Sequence, residues 1–419
     1  MPENQSSPQR FVGLDVHKHY LIAIAVNPAS EQIGGPWRAQ LADLAGWAQK
    51  HLGPHDAVAL EVTTNAFTLY DELRPLVHSV ILVHLPHVAL IVRAQVKTDL
   101  RAALALAQLH AKGLLPAVWV PPVPVREQPA TLAQRVKFIC LATQAKNCLH
   151  AALHRHHLLL PEGDPFGPAN TCTCAARMRK CRCRDGWQTL PVSASERARI
   201  QSDLETLDFA KRQVAALTAI LASDAAQDDQ VPLLIQLPGF SVVNSLTVLA
   251  AVGEIGRFES AKHLVGYAGS GARIHDSGQM HRTGQITKAG RRDLRAALVE
   301  AAQAAANTHP HWQAELARLE PRLVRNKAIV TIARKLLIAV WHVLTKAEAD
   351  RFAEPARVAR KLLNYTNQVG RVSRRPGQST AAYVREQLDR LKLGAELTGI
   401  DYGRRPIPLP PSQLKRTAN

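Results

Sequence analysis

The chain opens with two apolar runs, RFVGLDV at 10–16 and YLIAIAV at 20–26, joined by the polar turn HKH. Apolar side chains recur at every second position in both, which predicts two strands of a hairpin. The period then changes. LADLAGWAQKHL (41–52) has helical spacing, AVALEV (57–62) is a short buried strand, and AFTLYDELRPLV (66–77) is helical again. SVILVHL (79–85) reads as a strand, HVALIVRAQ (87–95) as a helix, and TDLRAALALAQLHAKG (98–113) as a longer helix capped by Thr98 or Asp99. AVWVPP (117–122) is a last strand stopped by prolines. A hairpin followed by alternating helices and strands predicts a mixed sheet with helices on its faces.

Beyond it the pattern is mostly helical. Residues 127–160 form a basic helical stretch, and 161–194 look irregular. In 195–222, Ile200, Leu204, Leu207, Val214 and Leu221 recur at heptad-like spacing, interrupted by Lys211, which predicts a long helix or coiled coil. Residues 232–346 form a compact unit, helical at both ends with a Gly-rich middle. From Pro355 on there are 13 Lys/Arg against 4 Asp/Glu, so this segment is expected to repel itself and to lie against an anion. Four segments follow: 1–125, 126–230, 231–350 and 351–419.

Composition sharpens this. A length of 419 residues is too great for one ordinary core. The formal net charge of +18 favours a polyanionic partner, nucleic acid before an anionic membrane. No apolar run reaches membrane-spanning length, and MPENQSSPQR lacks a signal-peptide core, so a cytoplasmic protein is expected. Aromatic content of 5% argues against a surface built mainly for base stacking.

Three acids stand out in the first unit. Asp15 interrupts the first strand, Glu61 ends the strand AVALE, and Asp99 opens a helix. If the strands carrying Asp15 and Glu61 are neighbours, the helix start can aim Asp99 at the same point. Converging carboxylates repel unless a cation neutralises them, and hard oxygen ligands with open water positions suit Mg²⁺. The plainer reading is that Asp15 is satisfied by His17 and Lys18 at a strand end.

GLDVHK, LEVTTN and KTDLRAALALA, in that order, resemble the RuvC-like DEDD transposases of bacterial insertion sequences. The resemblance implies an α/β RNase H-like (RuvC-like) N-terminal domain, a helical or coiled-coil spacer and a mainly α C-terminal transposase domain. By position, Asp15, Glu61 and Asp99 are the Mg²⁺ ligands, and the fourth acid should stand where this chain has Ala102. No Asp or Glu occurs between Asp99 and Glu127, so impaired cleavage is expected.

The resemblance continues from QLPGFSVVNSLTVLAAVG to SGARIHDSGQMHRTGQITKAGRRDLRAAL and implies a catalytic serine in a Ser-Gly pair. The match is Ser277-Gly278, followed by Gly284, Lys288, Gly290, Leu294 and Arg295; Ser270-Gly271 is the competitor. Lys288, Arg291, Arg292 and Arg295 suit phosphate handling, against a plain Gly/Ser hairpin with solvated charges. His275, Asp276 and His281 are merely near Ser277 in sequence, so no general base is assigned. LPGF before a helix has the look of a helix-hairpin-helix, whose helix start can hold a DNA phosphate, or of an ordinary packing turn.

Cys172, Cys174, Cys181 and Cys183 fall within twelve residues, among Arg177, Arg179, Lys180, Arg182 and Arg184. Four thiolates can bind Zn²⁺, although the spacing is not the usual knuckle; the alternative is a reduced basic loop. Cys140 and Cys148 are expected to be buried on a helix. Arg135, Lys137, Lys146 and the basic C-terminal segment are candidate RNA or backbone contacts.

The resemblance thus implies a recombinase acting on donor and target DNA, guided by a structured noncoding bridge RNA. Ser277 would form a phosphoserine–DNA intermediate beside Mg²⁺, in a homo-oligomer (a dimer assembling to a tetramer) whose active sites form between protomers. Two other classes stay open: a Holliday-junction-type metal nuclease, which would not need Ser277, and a nucleic-acid-binding relative silenced at Ala102.

Overall fold

The structure, a computed structural model, describes residues 7–84, 98–158, 166, 185–277, 280–403 and 406–414. It divides into two compact units, Met1–Pro122 and Val123–Asn419.

Unit 1 is built on one sheet. Its strands are β1 (Arg10–Val16), β2 (Tyr20–Val26), β3 (Gln32–Gln40), β4 (Asp56–Glu61), β5 (Ser79–Val83) and β6 (Ala117–Val118), ordered β3-β2-β1-β4-β5-β6. β1 pairs antiparallel with β2 and parallel with β4, so the strand direction changes across β1. Strand β3 escapes the alternation rule because its burial is irregular and Gly34-Gly35-Pro36 breaks its pattern.

The period-two alternation assigns the faces. Val12, Leu14 and Val16, with Leu21, Ala23, Val58 and Leu60, share a core with Trp47 of α1 (Leu44–His51) and with Leu69 and Leu73 of α2 (Ala66–Leu73). Gly13, Asp15 and Glu61 therefore face the other side. That side is covered by α3 (Asp99–Ala111). A Cβ on Gly13 would stand 2.1 Å from the Ala103 carbonyl oxygen and 2.6 Å from the Ala107 amide nitrogen, so glycine lets α3 lie on the strand. The 87–95 helix expectation lies outside the described residues.

Unit 2 begins with two long helices, α4 (Val123–Arg155) and α5 (Ala194–Gln227), each about 50 Å long. Leu149 and Leu153 meet Ile200, Leu204 and Leu207 in one cluster, while Leu132 and Leu221 join the main core at the other end, so the helices run antiparallel. Ala210 is fully buried in this seam beside Lys211, which relieves the interruption read from sequence. Cys140 and Cys148, expected to be buried, are exposed, because α4 presents that face outward.

The main core takes in α6 (Val231–Ile235), α7 (Val242–Val252), α8 (Ala261–Tyr267), α9 (Arg292–Thr308), α10 (Pro310–Leu319) and α11 (Arg325–Lys346); a hairpin of β7 (Ala272–Ser277) and β8 (Met280–Ile286) leads from α8 toward α9 and contributes no described residue to it. Contrary to the sequence expectation, α11 is long and apolar enough to cross a membrane. Its Ile329, Ile332, Leu336, Leu337 and Val340 are buried in the protein core.

The basic segment from Pro355 is folded rather than self-repelling. α12 (Pro355–Val369) and α13 (Thr380–Arg390) bury Val358, Leu362, Leu363, Val384 and Leu388 in the same core, and a short ladder of β9 (Gly399–Ile400) and β10 (Ile407–Pro408) follows. Arg357, Arg360 and Arg390 lie exposed on the opposite faces, a period-3.6 separation that net charge conceals, whereas Arg385 turns inward. Arg385, 3% exposed, clamps the segment by donating to the carbonyls of Pro410 (2.9 Å), Gly394 (2.8 Å) and Leu397.

Candidate functional site

Asp15 and Glu61 occupy the carboxyl ends of adjacent parallel strands, one residue beyond or beside the last recorded pair, Leu14 with Leu60. In open α/β sheets, ligands collect at strand carboxyl ends where the strand order reverses, here between β1 and β4. α3 starts over this point. Thr98 caps it by accepting from the Arg101 amide at 3.3 Å, and Asp99 is its first residue.

The structure brings Asp15, His17 and Asp99 together, with one potential ligand atom of each within 4.8 Å of the others. His17 Nε2 is 3.3 Å from Asp15 Oδ2 and 3.1 Å from Asp99 Oδ2. Yet this nitrogen is buried without an aligned hydrogen bond. His17 stacks on Tyr20, with ring centroids 4.6 Å apart, and the Arg38 guanidinium lies 4.2 Å from the Tyr20 centroid. The Tyr20 hydroxyl donates to Asp99 Oδ2 at 3.1 Å. Burial pushes the Asp15 carboxyl up, against the pull of His17, and Asp99 adds to the rise. These three side chains could hold a divalent cation, and the imidazole set between the two carboxylates also meets the plainer reading of Asp15 paired by His17.

Glu61 is buried on the same face but lies outside this three-residue cluster. Sequence reasoning put Glu61 in the cluster and treated His17 only as a neutralising neighbour. The signal for His17 was its place in GLDVHK, two residues past Asp15 at the turn. Ala102 sits one helical turn after Asp99, half-buried, and offers no ligand.

In unit 2, Ser277 ends β7 and is exposed, paired across the hairpin with Met280. Asp276 pairs with His281 and His275 with Arg282 in the same register. The cations do not gather there. Lys288, Arg292 and Arg295 line a cleft of about 490 Å³ at the hairpin base, together with the buried Ser270. Five residue steps along the strand carry the chain from Ala272 to Ser277, about 17 Å. Gly290 closes this base, since a Cβ there would stand 2.2 Å from the Tyr267 carbonyl oxygen. Arg295 donates to the carbonyls of Ala268 and Gly290, each at 2.9 Å, and so holds the turn. Arg291 pairs with Asp293 at 2.5 Å.

Arg135 donates to Thr218 Oγ1 at 2.8 Å and ties α4 to α5, while Lys137 is exposed. Lys146 lies 5.2 Å from the Phe166 ring. Cys172, Cys174, Cys181 and Cys183 lie outside the described residues.

Residues 231–317 match the family of transposases described as IS116/IS110/IS902. Within unit 2 the matched residues run from α6 into α10 and include the Ser277 hairpin. Among curated proteins, the chain is 34% identical over 115 residues to the pilin gene-inverting protein of Moraxella bovis, covering 27% of this chain and 36% of that protein. It is 26% identical over 372 residues to the putative transposase y4qE of Sinorhizobium fredii, covering 87% and 90%. It is 31% identical over 119 residues to the transposase for insertion sequence element IS1111A of Coxiella burnetii, covering 27% and 33%. The matches to the first and last of these span about a third of those proteins.

Proposed function

We propose that the protein is an insertion-sequence DNA recombinase that cuts and rejoins strands through a phosphoserine intermediate. The observation that carries this is the pairing of two features in one chain. One is a transposase-family unit with an exposed serine; the other is a carboxylate–imidazole cluster at the switch point of a mixed α/β sheet. The adjacency of β1 and β4 with acids at their carboxyl ends supports an RNase H-like reading of unit 1.

In this reading the Ser277 hydroxyl oxygen attacks a scissile phosphorus. A P–Oγ bond forms, one bridging P–O bond breaks, the serine proton passes to a base, and the departing sugar oxygen takes up a proton. Strand rejoining reverses the step on a new end, so no external energy is needed. Asp15, Asp99 and His17 would hold a divalent cation, with Glu61 behind them, and the cation when bound offsets charge on the phosphate. Carboxylates suit Mg²⁺ or Mn²⁺, and an imidazole in the set also admits later transition ions such as Zn²⁺. The missing acid at Ala102 lowers cleavage. Guidance by a bridge RNA, and assembly into dimers and tetramers, belong to the same reading.

A second nucleophile has its own support: Ser270 shares a cleft with Lys288, Arg292 and Arg295, whereas Ser277 does not. The test is covalent trapping of labelled DNA with Mg²⁺ or Mn²⁺ and RNA on a denaturing gel. Adduct formation should rise with Ala102→Asp and vanish with Ser277→Ala. Loss with Ser270→Ala alone would move the nucleophile, and free cut ends without adduct would favour the nuclease class.

A further inference from the structure

A cleft of about 360 Å³ lies where the start of α7 meets the start of α12 and the end of α9. Ser241, His309, Arg357, Arg360 and Lys361 line it, with one acid, Glu354. We propose that this cleft holds one backbone phosphate of a nucleic-acid strand, with α12 of the basic C-terminal segment supplying the cations. This deepens the reading of the chain as a nucleic-acid-acting protein, but it needs neither Ser277 nor the carboxylates of unit 1.

Three observations converge on an anion. The first is Lys361. Its ammonium donates to the Leu237 carbonyl, and among the described residues no carboxylate pairs with it. Burial lowers its pKa to about 7. An ammonium withdrawn from water without a counter-charge is costly, and an entering anion removes that cost. Among the described residues Arg360 likewise has no carboxylate partner; its Nε donates to the Asp401 carbonyl at 3.0 Å.

The second is His309, 5% exposed, whose Nδ1 is buried without an aligned hydrogen-bond partner. Its Nε2 lies 3.5 Å from Glu354 Oε1. Burial lowers the pKa of His309 against the pull of Glu354 and a backbone hydrogen bond at Phe352, and an anion at Nδ1 would add to that pull, so that both ring nitrogens donate. Glu354 is also bound by Arg357, which donates to the Thr308 carbonyl at 2.8 Å, so the one acid is already engaged.

The third is α7 itself. It has eleven residues, and Ser241 caps it by accepting from the Asn244 amide at 3.2 Å. The positive end of its dipole borders the cleft. Lys361, Arg357 and Arg360 lie downstream of the family match at 231–317, so the C-terminal segment completes a site that the family segment only begins.

The test is binding without chemistry. Fluorescence anisotropy would measure the affinity for a short duplex DNA of arbitrary sequence, and for a single-stranded RNA of equal length, across a salt series without divalent metal. Lys361→Met, Arg360→Gln and their combination would be compared with Arg371→Gln, a loss of one exposed charge in the 3-10 turn Gly370–Ser373 that follows α12. If one phosphate sits in the cleft, the slope of log affinity against log salt falls by about 0.9 on duplex DNA, or about 0.7 on RNA. The double variant falls no further than either single variant, and Arg371→Gln leaves the slope unchanged. The nucleic acid that shows the loss identifies the source of the phosphate. Unchanged slopes on both, or a loss matched by Arg371→Gln, would overturn the proposal. Should Lys361→Met fail to fold, Arg360→Gln at the exposed rim carries the same test. A failed trapping assay would leave these slopes intact, so the two readings fail separately.

Discussion

Gly13→Ala is the sharpest probe of how the fold makes the candidate metal site. The added methyl would stand 2.1 Å from the Ala103 carbonyl oxygen, where ordinary contact begins near 3.4 Å. The contact is with backbone, so no side-chain rotation relieves it, and α3 must retreat by more than about 1 Å. Alanine at a compatible position would stabilise by about 0.4–1 kcal/mol through the unfolded chain. Overpacking costs about 1–3 kcal/mol, so the clash wins and a net loss of about 1–2 kcal/mol is expected. For a unit of this size that is a fall on the order of 4–10 °C in its unfolding midpoint. The same retreat draws Asp99 away from Asp15 and His17. Hydrogen exchange on the intact chain should therefore quicken in 10–26 and 98–111 together, and Mn²⁺ affinity, read by calorimetry, should weaken. Unchanged exchange with unchanged affinity would show that α3 is not seated on β1 as described.

Four further outcomes are expected. Because burial raises the Asp15 carboxyl in the folded state, its ionisation opposes folding. Metal-free stability should fall as pH rises from the ordinary carboxylate range to the raised folded value; Asp15→Asn should remove that decline, raise the midpoint in chelator and lose the metal-induced shift. Glu315 is held down to about 2 by the Arg318 hydrogen bond, with Lys335 adding to it, so its contribution is complete above the usual glutamate range and lost as pH falls toward 2; Lys335→Met should shift that acid limb upward. Arg385→Leu strands the buried Gly394 carbonyl and the half-buried Leu397 and Pro410 carbonyls and should cost about 2–3 kcal/mol in urea unfolding; a loss under about 1 kcal/mol would refute the clamp. Cys140 and Cys148 should both alkylate rapidly in the native protein, as read by peptide mass spectrometry.

What the sequence determined by itself was whatever depends on local periodicity. The alternation in β1 and β2, the 3.6 period of α3 and the heptads of α5 were legible because apolar residues must repeat with the geometry of the face they bury, and β4 was legible as a short apolar run because both its faces are buried. The acids Asp15 and Asp99 were legible too, since a carboxylate inside an apolar pattern is conspicuous. Only the tertiary structure decided what those elements bring together. His17 enters the cluster because the β1–β2 turn folds back beneath α3, while Glu61, on the correct face and strand, stays outside it. The hairpin of β7 and β8 is long enough to hold Ser277 away from Lys288, Arg292 and Arg295, although they lie within eighteen residues of it in sequence. The basic C-terminal segment was misread because net charge counts residues without direction. Its helices turn Val358, Leu362 and Leu388 inward and place Arg360 and Lys361 at the mouth of a cleft whose other wall lies more than one hundred residues earlier.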